Sequence, residues 1–136
     1  MRILVYGTLR RGQHANARML SGAGFVGAAR TAPAYTMLDL GGFPGIRVGG
    51  STAILGDVYE ADEPTVATLD RYEGVPRLYV RELVDVPGGV CWAYILARPH
   101  PEADDLIARF TSPVSAARRE LIQYIYARMK FGPVSR

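Results

Sequence analysis

Short strand-like segments separated by glycine and proline turns dominate this 136-residue chain. From Phe25 to Tyr59 and again from Leu78 to Ala97, apolar runs end at such turns, as β-strands do. Pro87-Gly88-Gly89, between two of these runs, predicts a hairpin. Because strands follow strands instead of alternating with helices, the pattern excludes a doubly wound sheet. It predicts an α+β fold with a mixed or antiparallel sheet of about six strands.

Two to three helices accompany these strands. Residues Gln13 to Leu20 predict a short helix, and Glu63 to Tyr72 a longer one with Pro64 in its first turn. Ser112-Pro113 begins a third segment in which apolar residues recur at helical spacing. Gly132-Pro133 stops that segment.

Length and composition indicate one globular domain spanning residues 1–136, since about 100–200 residues per domain is usual. Hydrophobic residues make up 49% of the chain and charged residues 21%, which is ordinary for a soluble protein. The net charge of +3 is too small to indicate nucleic-acid binding, which requires a basic stripe. The apolar start is too short for a signal peptide, and no segment approaches the roughly 20 apolar residues that span a bilayer. We therefore expect a cytoplasmic protein with neither a membrane nor a nucleic acid as its partner.

The common catalytic patterns are missing from the sequence. Cys91, the single cysteine, stands beside Trp92 in an apolar strand, which is typical of a core position. His14 and His100 lie too far apart to indicate a metal site. Neither a Gly-x-Ser-x-Gly elbow nor a phosphate-binding Gly-x-x-x-x-Gly-Lys-Ser/Thr loop occurs. We expect no metal and no cofactor.

The segment from Tyr6 to Gly12 is the first candidate site. A buried strand there runs into Gly7 and a short polar turn, so successive backbone N–H groups can bind an anion or a carbonyl oxygen. Thr8 adds a hydroxyl group, and Arg10-Arg11 add positive charge. A plain strand-to-helix turn is the alternative interpretation.

Glu73 is the second candidate. If Glu63 to Tyr72 is helical, Val66, Leu69 and Glu73 share one apolar face. Desolvation and the negative end of the helix dipole both disfavour the charged carboxylate, so we expect a raised pKa, suited to a general base near neutral pH. A Glu73 that turns to solvent or to an arginine is the alternative, and Asp70 is the rival carboxylate.

These segments resemble the gamma-glutamylcyclotransferase-like superfamily, in particular its AIG2-like branch. Tyr6-Gly7-Thr8-Leu9 is similar to the loop motif of that family, and Leu69-Asp70-x-Tyr72-Glu73-Gly74 to the segment with its catalytic glutamate. Three strand motifs resemble the family as well: Gly56-Asp57-Val58-Tyr59, Tyr79-x-Arg81 and Trp92-Ala93-Tyr94.

The resemblance implies a small mixed β-barrel with flanking helices and a cavity at its mouth. It implies that Glu73 is the catalytic acid/base and that the loop of Tyr6, Gly7, Thr8 and Leu9 binds the glutamyl part of the substrate. Tyr79 and Arg81 share a strand face by the two-residue period; they can line the cavity or form a cross-strand structural pair.

The implied reaction cyclises the gamma-glutamyl group of a gamma-glutamyl amine or amino acid to 5-oxoproline and releases the amine. This intramolecular aminolysis needs no cofactor because the substrate supplies the nucleophile. The expected partner is therefore a small gamma-glutamyl molecule, and we expect a monomer or weak homodimer. The sequence does not determine which amine or amino acid is released.

Two other functions stay open at this point. The same pocket could bind an amino-acid-like ligand without catalysis, or a barrel with arginines and exposed tyrosines could bind RNA. The glycine-rich segment from Gly41 to Gly50 predicts a flexible hairpin or rim loop.

Overall fold

A computed structural model describes residues 1–7, 9–13, 15–41 and 43–106 of the chain. Strands outnumber helices in this part, as the turn pattern predicts. The elements, in chain order, are β1 (Arg2–Val5), α1 (Asn16–Leu20), β2 (Gly24–Arg30), β3 (Tyr35–Asp39), β4 (Pro44–Val48), β5 (Leu55–Glu60), α2 (Glu63–Tyr72), β6 (Tyr79–Val86), β7 (Gly89–Leu96) and β8 (Asp104–Asp105).

The larger sheet has five strands in the order β2-β5-β1-β7-β6. Its centre, β1, is antiparallel to β5 and parallel to β7. Both faces of β1 are covered, since Ile3 and Leu4 are fully buried on opposite sides, which explains why this strand is a continuous apolar run. Gly56 on β5 permits the close pairing, because a Cβ there would lie 2.5 Å from the Val5 carbonyl oxygen.

The smaller sheet and the two helices cover opposite faces of the larger sheet. Leu4 and Val58 pack with Met37 and Ile46 of the three-stranded sheet, whose order is β4-β3-β8. Ile3 and Val5 belong to the other cluster, which α1 and α2 complete. The helical members of that cluster are Leu20, Val66 and Leu69. Successive side chains of β1 point to opposite faces of the sheet and therefore belong to different hydrophobic clusters.

Helix α2 has the bounds that its sequence signals predict. The Asp62 carboxylate caps it by accepting the Thr65 N–H at 2.9 Å, and Pro64 stands in the first turn, where its missing N–H costs nothing. Gly74 follows the helix with φ of +68°, the left-handed conformation that commonly ends a helix. Glu73 is consequently held at the last turn.

The α+β class with a mixed sheet is confirmed, whereas a closed barrel is not observed. The described strands number eight and form two separate sheets, since the β3–β4 hairpin pairs with β8 and not with a strand of the larger sheet. This hairpin accounts for much of Gly41 to Gly50, where Pro44–Val48 is regular strand. The predicted third helix, from Ser112 onward, lies outside the described residues. No helix within those residues is long and apolar enough to cross a membrane.

Candidate active site

A pocket opens where the two parallel strands of the larger sheet part. β1 and β7 pair only at Ile3–Trp92 and Leu4–Ala93, and the chains diverge beyond these residues. The pocket is partly open to solvent and has a cavity volume of about 40 Å³. Its described lining comprises Leu4, Val5, Tyr6, Gly7, Leu9, Phe43, Pro44, Tyr72, Glu73, Leu78, Tyr79 and Tyr94.

Glu73 contributes the carboxylate of this pocket. Its backbone N–H closes the last turn of α2 by donating to the Leu69 carbonyl at 2.8 Å, and its side chain is half-buried. The negative charge of Glu73 helps to raise the pKa of Tyr6 and the pKa of Tyr94. The carboxylate therefore lies within electrostatic reach of both phenols.

Two buried tyrosines brace the pocket through backbone carbonyls. The Tyr6 hydroxyl donates to the Tyr94 carbonyl at 2.8 Å, which joins β1 to β7 where they part. The Tyr79 hydroxyl donates to the Pro44 carbonyl at 2.7 Å and joins the two sheets. Burial first, and then Tyr79 and Glu73, raises the pKa of Tyr6 well above its usual value. Tyr6 is thus a neutral hydrogen-bond donor at physiological pH.

Two residues of the loop after β1 line the same pocket. Gly7 and Leu9 line it, and neither of their N–H groups donates to another described residue. Thr8, the third predicted member of this loop, lies outside the described residues. Two backbone donors that line one pocket can hold an anionic oxygen.

Two side chains that do not line the pocket hold this loop through hydrogen bonds. Asp57 on β5, only 4% exposed, accepts the Arg11 N–H at 2.8 Å and pairs with the Arg10 guanidinium at 3.3 Å. Asn16, at the start of α1, donates to the Leu9 carbonyl at 2.7 Å. The loop is therefore held at Leu9 and at the two residues that follow it.

Arg81 does not line this pocket. Its guanidinium contacts both carboxylate oxygens of Asp70, with Nε to Oδ1 at 2.9 Å and Nη2 to Oδ2 at 3.2 Å. It also lies over the Trp92 ring, 5.6 Å from the centroid. The Tyr94 hydroxyl donates to Asp70 Oδ1 at 2.8 Å, so Asp70 has a structural partner on each side.

Comparison with known proteins identifies the family of this chain. The family model described as gamma-glutamyl cyclotransferase, AIG2-like, matches residues 3–111. The chain belongs to this family.

Relatives of this AIG2-like chain come from bacteria and mammals. A Vibrio cholerae protein is 41% identical over 98 residues, which cover 72% of this chain and 84% of that protein. Bovine gamma-glutamylaminecyclotransferase is 33% identical over 114 residues, covering 74% of this chain and 68% of that protein. The crystal structure of a mouse AIG2-like protein superimposes with a TM-score of 0.67 at 31% identity, covering 74% of this chain and 80% of that chain.

For this AIG2-like member, the structure brings together most of the residues that the sequence singles out. Glu73, Tyr6, Gly7, Leu9 and Tyr79 all line the one pocket. Whether they bind substrate stays a prediction. In the described residues, no group of His, Cys, Asp or Glu side chains is arranged to hold a metal ion.

Sequence reasoning missed three residues that shape this site: Asp57, Asn16 and Tyr94. A carboxylate inside the apolar run of β5 was the available signal for Asp57, because a buried charge needs a partner. Tyr94 stands in a recognised motif but gains its role only through contact with Asp70, 24 residues away.

Proposed function

We propose that this chain is a gamma-glutamylcyclotransferase that converts a gamma-glutamyl amine or amino acid into 5-oxoproline and the free amine. One observation carries the proposal: Glu73 lines a single pocket together with Gly7 and Leu9, whose N–H groups donate to no other described residue. Family membership supports it, as does the bovine relative named for action on gamma-glutamyl amines. The proposal includes a small-molecule partner and a cytoplasmic place of action.

The substrate provides its own nucleophile in this reaction. Its α-amino nitrogen attacks the γ-carbonyl carbon, a C–N bond of the five-membered ring forms, and the γ-amide C–N bond breaks. The proton lost by the α-ammonium group ends on the leaving amine, so the reaction is balanced without a co-reactant. Holding both ends of the glutamyl group in reactive geometry can lower the barrier by about 7–11 kcal/mol.

Glu73 is the group that we assign to proton transfer. A half-buried carboxylate at the pocket wall can take the proton from the α-ammonium group and deliver it to the leaving nitrogen. The neutral phenol of Tyr6 beside it keeps the surroundings free of a competing charge. This role needs one carboxylate and no second nucleophile.

The backbone donors of the loop bind a negatively charged oxygen of the substrate. The N–H groups of Gly7 and Leu9 can hold either the α-carboxylate of the substrate or the oxyanion that develops on its γ-carbonyl. Losing one such donor to an oxyanion typically costs about 2.7–4 kcal/mol of barrier. Because Asp57 and Asn16 fix this loop, the donors are set before substrate arrives.

Aromatic and aliphatic side chains form the remaining wall. Phe43, Leu78 and Tyr79 line the pocket beside Glu73 and limit access of water to the γ-carbonyl. Excluding water favours attack by the substrate amine over hydrolysis.

Glu73→Gln tests the proposal, because it keeps the size of the side chain and removes its basicity. We expect release of 5-oxoproline, measured by mass spectrometry over a panel of gamma-glutamyl amines and amino acids, to fall about 10²–10⁴-fold. Glu82→Gln is the matched control, since Glu82 is exposed on β6 outside the pocket; its turnover should equal that of the wild type.

Two results would overturn the assignment. Near-normal turnover by folded Glu73→Gln protein would remove Glu73 from the chemistry. Binding of 5-oxoproline by a wild-type protein that turns over no member of the panel would indicate a ligand-binding module instead.

A further inference from the structure

A half-buried ion pair lies directly behind the wall that carries Glu73. Asp70 on α2 and Arg81 on β6 form it with two contacts at 2.9 and 3.2 Å, and their side chains are 24% and 27% exposed. A pair this sheltered is screened less by salt than one on the open surface. Its charges therefore act on groups nearby.

Tyr94 connects this pair to the pocket. Its side chain lines the pocket, while its hydroxyl donates to Asp70 at 2.8 Å. Burial first, and then the hydrogen bond to Asp70, raises the pKa of Tyr94 far above its usual value. The hydroxyl thus remains a donor to Asp70 at any working pH.

Glu73 stands one helical turn beyond Asp70. Side chains three residues apart on a helix are neighbours, with Cβ atoms about 5–6 Å apart. The charges of Asp70, Glu73 and Arg81 all act on the Tyr94 hydroxyl, so the three lie around one point. The negative charge beside Glu73 is therefore offset by an adjacent positive one.

We propose that Arg81 and Asp70 are positioning residues that, together with Tyr94, hold the Glu73 turn in place and balance the charge beside its carboxylate. This inference rests on the proposed function, in which Glu73 transfers the proton. It gives Arg81 a role behind the pocket wall rather than in contact with substrate.

Four tyrosines line the pocket together with Glu73. Tyr6 follows β1, Tyr79 is on β6, Tyr94 is on β7 and Tyr72 is on α2. Phenols carry no charge near neutral pH. Besides Glu73, the charged groups that act on the Tyr94 hydroxyl are Asp70 and Arg81.

Removing one member of the pair should therefore shift the titration of Glu73 in a direction set by the charge that remains. In Asp70→Asn the uncompensated guanidinium favours the carboxylate form, so the acid limb of kcat/KM moves to lower pH. In Arg81→Gln the uncompensated Asp70 disfavours the carboxylate form of Glu73, so the acid limb of kcat/KM moves to higher pH. We expect each shift to be at least about 0.5 pH unit.

The experiment measures the pH profile of 5-oxoproline formation and, separately, the NMR titration of the ¹³C-labelled Glu73 carboxyl. Arg81→Lys and the double variant Asp70→Asn/Arg81→Gln should restore the wild-type limb, because each keeps the local charge balanced. Arg47→Gln, an exposed arginine on β4, is the control for loss of a positive charge.

Opposite shifts in the two single variants, restored in the double variant, would support the proposal. Shifts in the same direction, or none, would overturn it, since a purely structural pair would weaken folding without moving the limb in opposite senses. If a single variant does not fold, the double variant and Arg81→Lys decide: a displaced limb in either one overturns the proposal. The NMR titration needs no turnover, so absence of 5-oxoproline in the wild type would contradict the proposed function alone.

Discussion

The two walls of the pocket are each held by an arginine–aspartate pair, but the pairs differ in burial. Asp57 and Arg10, which hold the loop after β1, have side chains 6% and 18% exposed. Asp70 and Arg81, behind the last turn of α2, are 24% and 27% exposed. The loop that offers backbone donors is thus anchored more deeply than the helix end that offers the carboxylate.

This difference in burial matches the groups that the two walls offer to a substrate, which are backbone N–H groups on one wall and a carboxylate on the other. Loop backbone has no helical ladder of its own, so the geometry of its N–H groups depends on the side chains that hold it. Glu73 is already placed by the hydrogen bond that closes α2, and the pair behind it adds position and charge balance. Disrupting the deeper anchor should therefore be the more damaging change.

Asp57→Ala is expected to have the larger effect. It leaves the Arg10 guanidinium and the Arg11 N–H without their carboxylate, and breaking a buried pair by removing one partner costs about 3 kcal/mol. Urea unfolding should show this loss in the free energy of unfolding, and the folded variant should have lower kcat/KM. An unfolding free energy within 0.5 kcal/mol of wild type, on the order of a neutral surface change, would show that the loop does not depend on Asp57.

Tyr94→Phe is expected to have the smaller effect. It removes one hydrogen bond to Asp70 while both contacts from Arg81 remain, so the free energy of unfolding should fall by about 1 kcal/mol. The same urea titration measures it. A loss equal to or greater than that of Asp57→Ala would reverse the ranking of the two anchors.

Local signals explain why α2 and Glu73 could be predicted from sequence. Asp62, Pro64 and Gly74 mark the helix ends by their own backbone chemistry, and the position of Glu73 follows from them. The α+β class, with its many short strands, could be predicted in the same way from the turn residues. Closure into a barrel could not, because it depends on which sheet the β3–β4 hairpin joins.

The location of Arg81 shows the limit of periodicity. The two-residue period places Tyr79 and Arg81 on one face of β6, yet only Tyr79 reaches the pocket. Two residues further along the strand, Arg81 meets Asp70 of α2. Periodicity fixes the face of a strand, whereas the neighbour over each position depends on tertiary packing.

The partners of Asp57 could not be predicted from the sequence for a related reason. Asp57 lies 46 residues from the Arg11 N–H that it accepts, and Asn16 lies 43 residues from its second partner, the Tyr59 hydroxyl. Contacts of this separation follow from strand register, which pairs Val5 with Asp57. The sequence motif predicts where the loop lies, whereas the contacts that hold it depend on the tertiary fold.

In the proposed reaction the amine of the substrate, and not water, attacks the γ-carbonyl. Turnover of a gamma-glutamyl amine in H₂¹⁸O, followed by mass spectrometry of the product, tests this directly. Intramolecular attack predicts 5-oxoproline that contains no ¹⁸O. Glutamate carrying ¹⁸O in its γ-carboxyl group would show hydrolysis and contradict the account.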